Sequence, residues 1–249
     1  MKIFLADTGW FRQWEKQNIW DFKRLVSYAY IAKDEAKKLH KYDDYILDSG
    51  AFTYLNGASG KIDWDKYIEN YAAFIDKYGV KNFIELDIDP IVGIKEVERL
   101  RAKLEAKVGQ QSIPVWHKSR GKDYWLKMVK EYDYVAIGGI VTREIKPSEY
   151  KHFHWLLAEA RKQDCKVHGL GFTSLKGLKE YPFYSVDSSA WTSGTRFGHV
   201  YKFNGSTLLK FDRQDGQRVK TKETAINNFN EWRKFADYME YEYKHSVIQ

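Results

Sequence analysis

Short apolar runs alternate with longer amphipathic stretches along most of this chain, and this alternation limits the fold more than any other feature of the sequence. Strands that are separated by helical crossovers run parallel to one another, so the spacing predicts an α/β fold with a parallel sheet. Seven runs have the length of buried strands, and they occupy residues 3–6, 45–47, 82–86, 113–116, 134–137, 166–170 and 183–186.

The stretches between these runs have the periodicity of amphipathic helices, and Asp63 is suited to cap one of them. Residues 200–211 predict a β-hairpin that turns at Asn204-Gly205, in the place where an eighth strand would otherwise lie. No linker or repeat interrupts the pattern. The sequence therefore predicts a single domain over residues 1–249, with the hairpin and a C-terminal helix at about 199–244.

Polar residues and glycines lie at the carboxyl ends of the predicted strands. In an open sheet these ends would be spread along a wide edge, whereas in a barrel they converge on one mouth, where active sites form. The pattern therefore favours a (β/α)8 TIM-like barrel over an open doubly wound sheet. The residues concerned are Asp48, Asp87, His117, Gly138 with Gly139, Gly169 with Gly171, and Asp187.

Composition narrows the classes of protein that this chain can belong to. The one cysteine, Cys165, excludes a disulfide framework and a cysteine-rich zinc site, and it is typical of a reducing compartment. No apolar window approaches the length of about eighteen residues that a membrane span needs, and the first residues do not resemble a signal peptide. A cytoplasmic location is predicted, in the host cell if a phage encodes the protein.

The net charge of +7 favours a polyanionic partner such as nucleic acid, although lysines spread over solvated helices account for much of it. Aromatic residues reach 16%, which suits either a tyrosine-rich core or rings that stack on bases. The glycine-rich motifs of dinucleotide and triphosphate sites do not occur, so no cofactor is predicted.

Asp48 and Asp187 are suited to a displacement at a sugar carbon, in which one carboxylate attacks the anomeric carbon and the other moves protons. The alternative is that each aspartate begins a turn, as Asp-Ser-Gly often does. Asp87 and Asp89 bracket Ile88, and such a pair can hold a metal, bind the N–H edge of a purine or begin a turn before a proline.

Two further sites leave two interpretations open, and a third is left without one. His117 lies beside Lys118, where it contacts a base or a phosphate or is simply structural. The glycines after two predicted strands allow a flat ligand to approach the backbone, or they are turn residues with positive φ. His168 lies inside a predicted strand and stays unassigned.

Four blocks, in this order, resemble the tRNA-guanine transglycosylase family, whose members exchange guanine in a nucleic acid for a 7-deazaguanine. The blocks match four motifs of the family in turn. These motifs are Asp-Ser-Gly-Gly-Phe/Tyr, Phe-Asp-Glu-Cys-Thr-Pro, Tyr-x-Gly-Tyr-Ala-Ile-Gly-Gly-Leu, and Met-Gly-Val-Gly with Phe-Asp-x-x-x-Pro-Thr-Arg. The matching segments are Asp48-Ser-Gly-Ala-Phe52, Leu86-Asp-Ile-Asp-Pro90, Tyr132-Asp-Tyr-Val-Ala-Ile-Gly-Gly-Ile140, and His168-Gly-Leu-Gly-Phe172 with Val186-Asp187 and Thr195-Arg196, all within residues 43–198.

The resemblance implies a (β/α)8 barrel and a set of catalytic roles. Asp187 would be the nucleophile that attacks C1′, and Asp48 the general acid and base at the exchanged base. Phe52 would stack on that base, and Arg196 would hold a backbone phosphate.

The same resemblance implies how the base is read. Asp87 would bind its polar edge, helped by backbone groups of Gly138 and Gly139 and by the strand end at Gly169. His117 stands where many members of the family place a glutamine that contacts the base.

The chain departs from the tRNA enzymes because it lacks the cysteines of their zinc site, which helps to dock tRNA. It is closer in character to zinc-free phage and bacterial enzymes that insert 7-deazaguanines such as preQ0, the 7-cyano form, into DNA. DNA is therefore the expected partner. A tRNA-directed enzyme, a non-catalytic nucleic-acid-binding paralogue and a glycoside hydrolase or nucleosidase remain alternatives.

Overall fold

The main strands of the protein pair parallel to one another, as the alternating runs predict. The computed structural model describes residues 1–6, 11–55, 62–212 and 220–246, without the side chains of Gln13, Phe52, Leu55, Thr195, Arg196 and Ser246. The strands are β1 (Lys2–Ala6), β2 (Lys23–Ser27), β3 (Asp44–Asp48), β4 (Val115–Trp116), β5 (Tyr134–Ile137), β6 (Lys166–Gly169), β7 (Ser185–Ser188), β8 (Val200–Phe203) and β9 (Leu208–Phe211).

Helices fill most of the chain between these strands, which confirms the α/β class. They are α1 (Phe11–Lys16), α2 (Lys33–Ala36), α3 (Phe52–Leu55), α4 (Trp64–Tyr78), α5 (Asp89–Val92), α6 (Ile94–Val108), α7 (Gly121–Glu131), α8 (Phe153–Lys162), α9 (Leu175–Glu180), α10 (Ser193–Phe197) and α11 (Thr221–Ser246). In the part of the chain that is described, no helix is long and apolar enough to cross a membrane.

Contacts between residues divide the chain into two compact units. Met1–Asp7 and Ile137–Gln249 form one, called here the terminal unit, and Thr8–Ala136 forms the other, called the central unit. The prediction of a single domain over residues 1–249 stays a prediction.

The central unit holds a parallel pair, β2 and β3, in register from Lys23 opposite Asp44 to Ser27 opposite Asp48. The sequence did not predict β2, because its buried positions alternate between Arg24 and Val26, and a charged residue broke the apolar pattern. Arg24 is tolerated in the core because it donates to Tyr42 Oη at 2.6 Å and pairs with the Glu35 carboxylate.

The run at residues 82–86 was predicted as a strand, but it forms only single bridges, from Phe83 to Leu47 and from Ile84 to Ile113. The parallel ladder ends at Glu85, whose N–H still donates to Ile113 O at 3.1 Å. Val115 N would make the next hydrogen bond of this ladder, but it donates to the Glu85 side chain at 2.7 Å instead of to a backbone carbonyl. A buried carboxylate has therefore replaced one backbone acceptor of the parallel ladder.

In the terminal unit, β7 lies between β1 and β6, with Phe4 opposite Asp187 and His168 opposite Ser185. The predicted hairpin is confirmed as the antiparallel pair of β8 and β9. Asn204 closes its turn, because its side-chain oxygen accepts from the Thr207 N–H at 2.9 Å.

The predicted cap of α4 at Asp63 was also confirmed. The Asp63 carboxylate accepts from Lys66 N at 2.9 Å and caps α4, and Gly79 ends the helix in the left-handed conformation with φ of 61°. Helix α11 confirms the predicted C-terminal helix, and its Phe229 and Trp232 side chains are buried.

Candidate functional site

Asp187 lies on β7 in the terminal unit, with only 8% of its surface exposed. Its Oδ1 atom accepts a hydrogen bond from Gly171 N at 2.6 Å and lies 3.3 Å from His168 Nε2. No other hydrogen bond to Asp187 is seen among the described residues. The predicted nucleophile is therefore a nearly buried carboxylate with one oxygen held by a backbone N–H and in contact with an imidazole.

His168 is the functional candidate that sequence reasoning left unassigned. Its side chain on β6 is fully buried, its Nδ1 atom lies 2.6 Å from Ser185 Oγ, and the Phe4 ring meets it edge-on at 6.1 Å between centroids. A polar residue at a buried strand position is the signal that could have found it, since buried polar groups need partners.

The glycines of the terminal unit have structural reasons of their own. Gly171 has φ of 66°, and a Cβ atom there would collide with the Val141 side chain. Gly139 has φ of 76°, and a Cβ atom would lie 2.7 Å from Glu144 Oε2. At Gly169 the nearest neighbour of an added Cβ would be Phe172 Cβ at 3.2 Å. Positive φ thus supports the turn interpretation for Gly139 and Gly171.

Contacts to a base by Gly138, Gly139 or Gly169 stay predictions. Arg196 lies in α10 and Phe52 in α3. Both of those side chains are outside the described part of the structure, so their roles in holding phosphate and stacking on the base also stay predictions.

Asp48 is the last residue of β3 in the central unit, and its Oδ2 atom accepts from Gly50 N at 3.1 Å. This is the turn that the alternative interpretation expected of Asp-Ser-Gly. Gly50 has φ of 74°, and a Cβ atom there would lie 2.5 Å from Ala29 Cβ and 2.8 Å from Ala29 N. Only glycine fits this turn, which sets the position of the Asp48 carboxylate.

Two tyrosines from α4 hold the backbone around Asp48. Tyr71 donates to Leu47 O at 3.1 Å or Ile84 O at 3.0 Å, and Tyr67 donates to Ser49 O at 2.6 Å. Burial, followed by neighbouring tyrosines and Asp48, raises the pKa of Tyr67 far above its ordinary value. Tyr67 therefore stays protonated and donates throughout the physiological range.

Asp87 and His117, both predicted to contact the base, form a pair in the central unit. His117 Nε2 lies 2.6 Å from Asp87 Oδ1, and 11% and 18% of the two side chains are exposed. The pair is therefore close enough to share a proton, and Asp87 is the more exposed of the two.

Asp89, which the sequence offered as half of a metal pair, is bound to an arginine. Arg120 Nε and Nη2 donate to the two Asp89 oxygens at 2.6 and 2.5 Å. Among the described residues, no group of three or more histidine, cysteine, aspartate or glutamate side chains is arranged to hold a metal. The geometry supports a structural ion pair at Asp89.

Arg120 and Asp89 belong to what we call the Glu85 cluster, together with Glu85 and Arg101. Glu85 is fully buried and pairs with Arg101 Nη1 at 3.1 Å and Arg120 Nη1 at 3.4 Å. Burial raises the pKa of Glu85, although the two guanidinium groups and the Val115 N–H act in the opposite direction. Sequence reasoning missed this cluster.

Comparison with known proteins does not add to this picture. No protein-family model matches the chain, and no curated protein matches it. The interpretation of the site therefore depends on the residues and their geometry.

Proposed function

We propose that this protein is a base-exchange transglycosylase of the tRNA-guanine transglycosylase type, which replaces guanine in DNA with a 7-deazaguanine such as preQ0. The observation that carries the proposal is the Asp187 carboxylate, nearly buried at 8% exposure and held through one oxygen by Gly171 N at 2.6 Å. A carboxylate that is desolvated and oriented by neutral donors is suited to attack a sugar carbon.

The exchange conserves atoms and electrons in two displacements. An Asp187 oxygen forms a bond to C1′ while the C1′–N9 bond breaks, and N9 keeps the bonding electron pair and takes a proton from Asp48. The incoming deazaguanine then gives a proton to Asp48 and attacks C1′ with its own nitrogen, and the ester bond to Asp187 breaks. No redox cofactor or metal is required by this sequence of steps.

In the central unit, the Asp87–His117 pair is assigned to the base. An ionised Asp87 accepts from the N–H groups on the polar edge of a guanine, which is the pattern that a carboxylate recognises. The proposal also includes the fold that the resemblance implies, a (β/α)8 barrel, and a cytoplasmic place of action.

DNA is proposed over tRNA because the single cysteine leaves no zinc module to dock tRNA and the net charge of +7 suits a polyanion. A guanine in duplex DNA has to be unstacked before it reaches a buried carboxylate, at a cost of a few kcal/mol. Single strands should therefore react at least as fast as intact duplex.

The test is exchange of radiolabelled guanine, and then of preQ0, into single-stranded DNA, duplex DNA and a tRNA transcript, followed by mass spectrometry of the nucleosides. We expect label in DNA, unchanged by chelators and falling steeply as salt is added. Label in tRNA but in no form of DNA would show a tRNA-directed enzyme instead.

Two further outcomes would contradict the exchange proposal. Release of free guanine without incorporation would indicate a nucleosidase that uses the same aspartates. Salt-sensitive binding of nucleic acid without any exchange or release would indicate a non-catalytic binding protein.

A further inference from the structure

His168 stands between a hydroxyl group and the proposed nucleophile. Its Nδ1 atom lies 2.6 Å from Ser185 Oγ, and its Nε2 atom lies 3.3 Å from Asp187 Oδ1. Ser185 and Asp187 are two residues apart on β7, so their side chains project from the same face of the sheet. A single buried imidazole on the neighbouring strand therefore contacts both.

The chemistry of the partners determines where the imidazole proton lies. An ionised carboxylate can only accept hydrogen bonds, so Nε2 carries the proton that points to Asp187, and in the tautomer that has this proton alone Nδ1 accepts from the Ser185 hydroxyl. In this tautomer the ring is neutral. It orients Asp187 without cancelling the negative charge that makes the carboxylate a nucleophile.

Asp187 Oδ1 consequently receives two donors, Gly171 N at 2.6 Å and His168 Nε2 at 3.3 Å. Oδ1 is thereby held by two donors, His168 on β6 and Gly171 in the turn that follows β6. The rotation of the carboxylate about its χ2 angle, which is otherwise broad, is restricted by these contacts.

We propose that His168 is a positioning residue, which with Ser185 and Gly171 holds Asp187 through Oδ1 and leaves Oδ2 as the atom that attacks C1′. This inference rests on the proposed function. It assigns a role to a residue that stands where the related family carries methionine, a side chain that cannot donate a hydrogen bond.

A matched set of variants tests the role. The glutamine side chain places its amide near the position of Nε2, whereas the asparagine amide reaches only the position of Nδ1. His168→Gln should keep the guanine-exchange kcat within about tenfold of wild type, while His168→Asn and His168→Leu should lower kcat by about 10²-fold with KM for DNA unchanged, as expected for a misplaced reacting group.

Nitrogen-15 NMR of the histidine side chains provides a readout that does not depend on activity. The His168 signals should show the Nε2–H tautomer, and Ser185→Ala and Asp187→Asn should each shift them. A proton on Nδ1, or no response to Asp187→Asn, would overturn the proposed hydrogen bond whether or not the protein exchanges bases.

The kinetic and spectroscopic results separate the two proposals. Exchange by wild type together with a full rate in a folded His168→Leu variant would remove the positioning role and leave the function in place. No exchange by wild type on any nucleic acid would remove the function and, with it, the role of His168. Equal losses in His168→Gln and His168→Leu would show that the imidazole matters only for packing.

Discussion

Asp187 in the terminal unit and Asp89 in the central unit are both largely shielded from solvent, with 11% and 14% of their side chains exposed, but they are held in opposite ways. Asp187 accepts from a backbone N–H at 2.6 Å and a histidine at 3.3 Å, both through Oδ1. Asp89 has both oxygens bound to Arg120, at 2.6 and 2.5 Å. A guanidinium that binds both oxygens neutralises the carboxylate and occupies its lone pairs, whereas neutral donors on one oxygen leave the other available for chemistry.

The surroundings of Asp89 and Asp187 also differ in whether they contribute to stability or to chemistry. In the Glu85 cluster, burial lowers the pKa of Arg120, but Glu85 and Asp89 outweigh it, so that the net pKa is raised and the cation is retained. Such a network is expensive to break, because each remaining charge would be left unpaired inside the protein. Asp187 is therefore a carboxylate suited to reaction, whereas Glu85 and Asp89 are suited to stabilising the fold.

The largest expected effect is on activity, and it tests the comparison directly. Asp187→Asn keeps an oxygen that accepts from Gly171 but removes the nucleophile, so exchange of labelled guanine should fall by about 10³-fold or more with little change in Tm. Asp89→Asn is the control: it should lower Tm and leave the exchange rate of the folded protein within a few-fold of wild type. Activity lost in the Asp89 variant but kept in the Asp187 variant would reverse the assignment.

The next effect is on stability. Arg120→Met leaves the Glu85 and Asp89 carboxylates without this cation, and the free energy of unfolding should fall by about 3–5 kcal/mol. Urea denaturation measures it. The matched control is Arg99→Met, because Arg99 also binds two carboxylates but its side chain is 47% exposed. That variant should lose much less stability, because exposed ion pairs are screened by solvent, and equal losses would mean that burial is not what distinguishes the Glu85 cluster.

Two glycine-to-alanine variants test how the turn at Asp48 is held in place. Gly50→Ala forces a Cβ atom to 2.5 Å from Ala29 Cβ at a φ of 74°, whereas Gly79→Ala has similar φ, 61°, and no neighbour within 4 Å. We expect losses of about 2–4 kcal/mol at Gly50 and about 1 kcal/mol at Gly79 in thermal unfolding. Because Gly50 N donates to Asp48, the first variant should also slow exchange. Similar losses at both glycines would show that the turn at Asp48 is loosely packed.

The smallest effect concerns an exposed carboxylate that is bound by cations. Hydrogen bonds from Arg99 and Lys103 lower the pKa of Asp65 from 3.8 to about 2. A lowered pKa contributes stability that is present above the unfolded value and is lost as pH falls from about 3.8 to about 2. Asp65→Asn should flatten the stability profile over this interval, and salt should have a similar effect by screening. An unchanged acid profile would show that these surface pairs contribute nothing.

Local chemistry determined much of this fold. The apolar runs located β1, β3, β5, β6 and β7 to within a few residues, because a buried strand needs a short apolar stretch wherever it lies. Asp63 capped α4, and Asn204-Gly205 turned the hairpin, because each of these contacts joins residues three apart. The positions of Asp48 at the end of β3 and of Asp187 next to the end of β7 were readable for the same reason.

Only the tertiary structure decided which donor meets which carboxylate. Arg120 and Asp89 are 31 residues apart, and His168 and Asp187 are 19 apart, so each pair forms only after the chain has crossed a helix and returned to the sheet. Contacts of this kind also explain why β2 was not predicted, because Glu35 and Tyr42 make a buried Arg24 tolerable. Sequence pattern records where a side chain is buried, but the free energy of a buried charge depends on its partners, and those are brought together by folding.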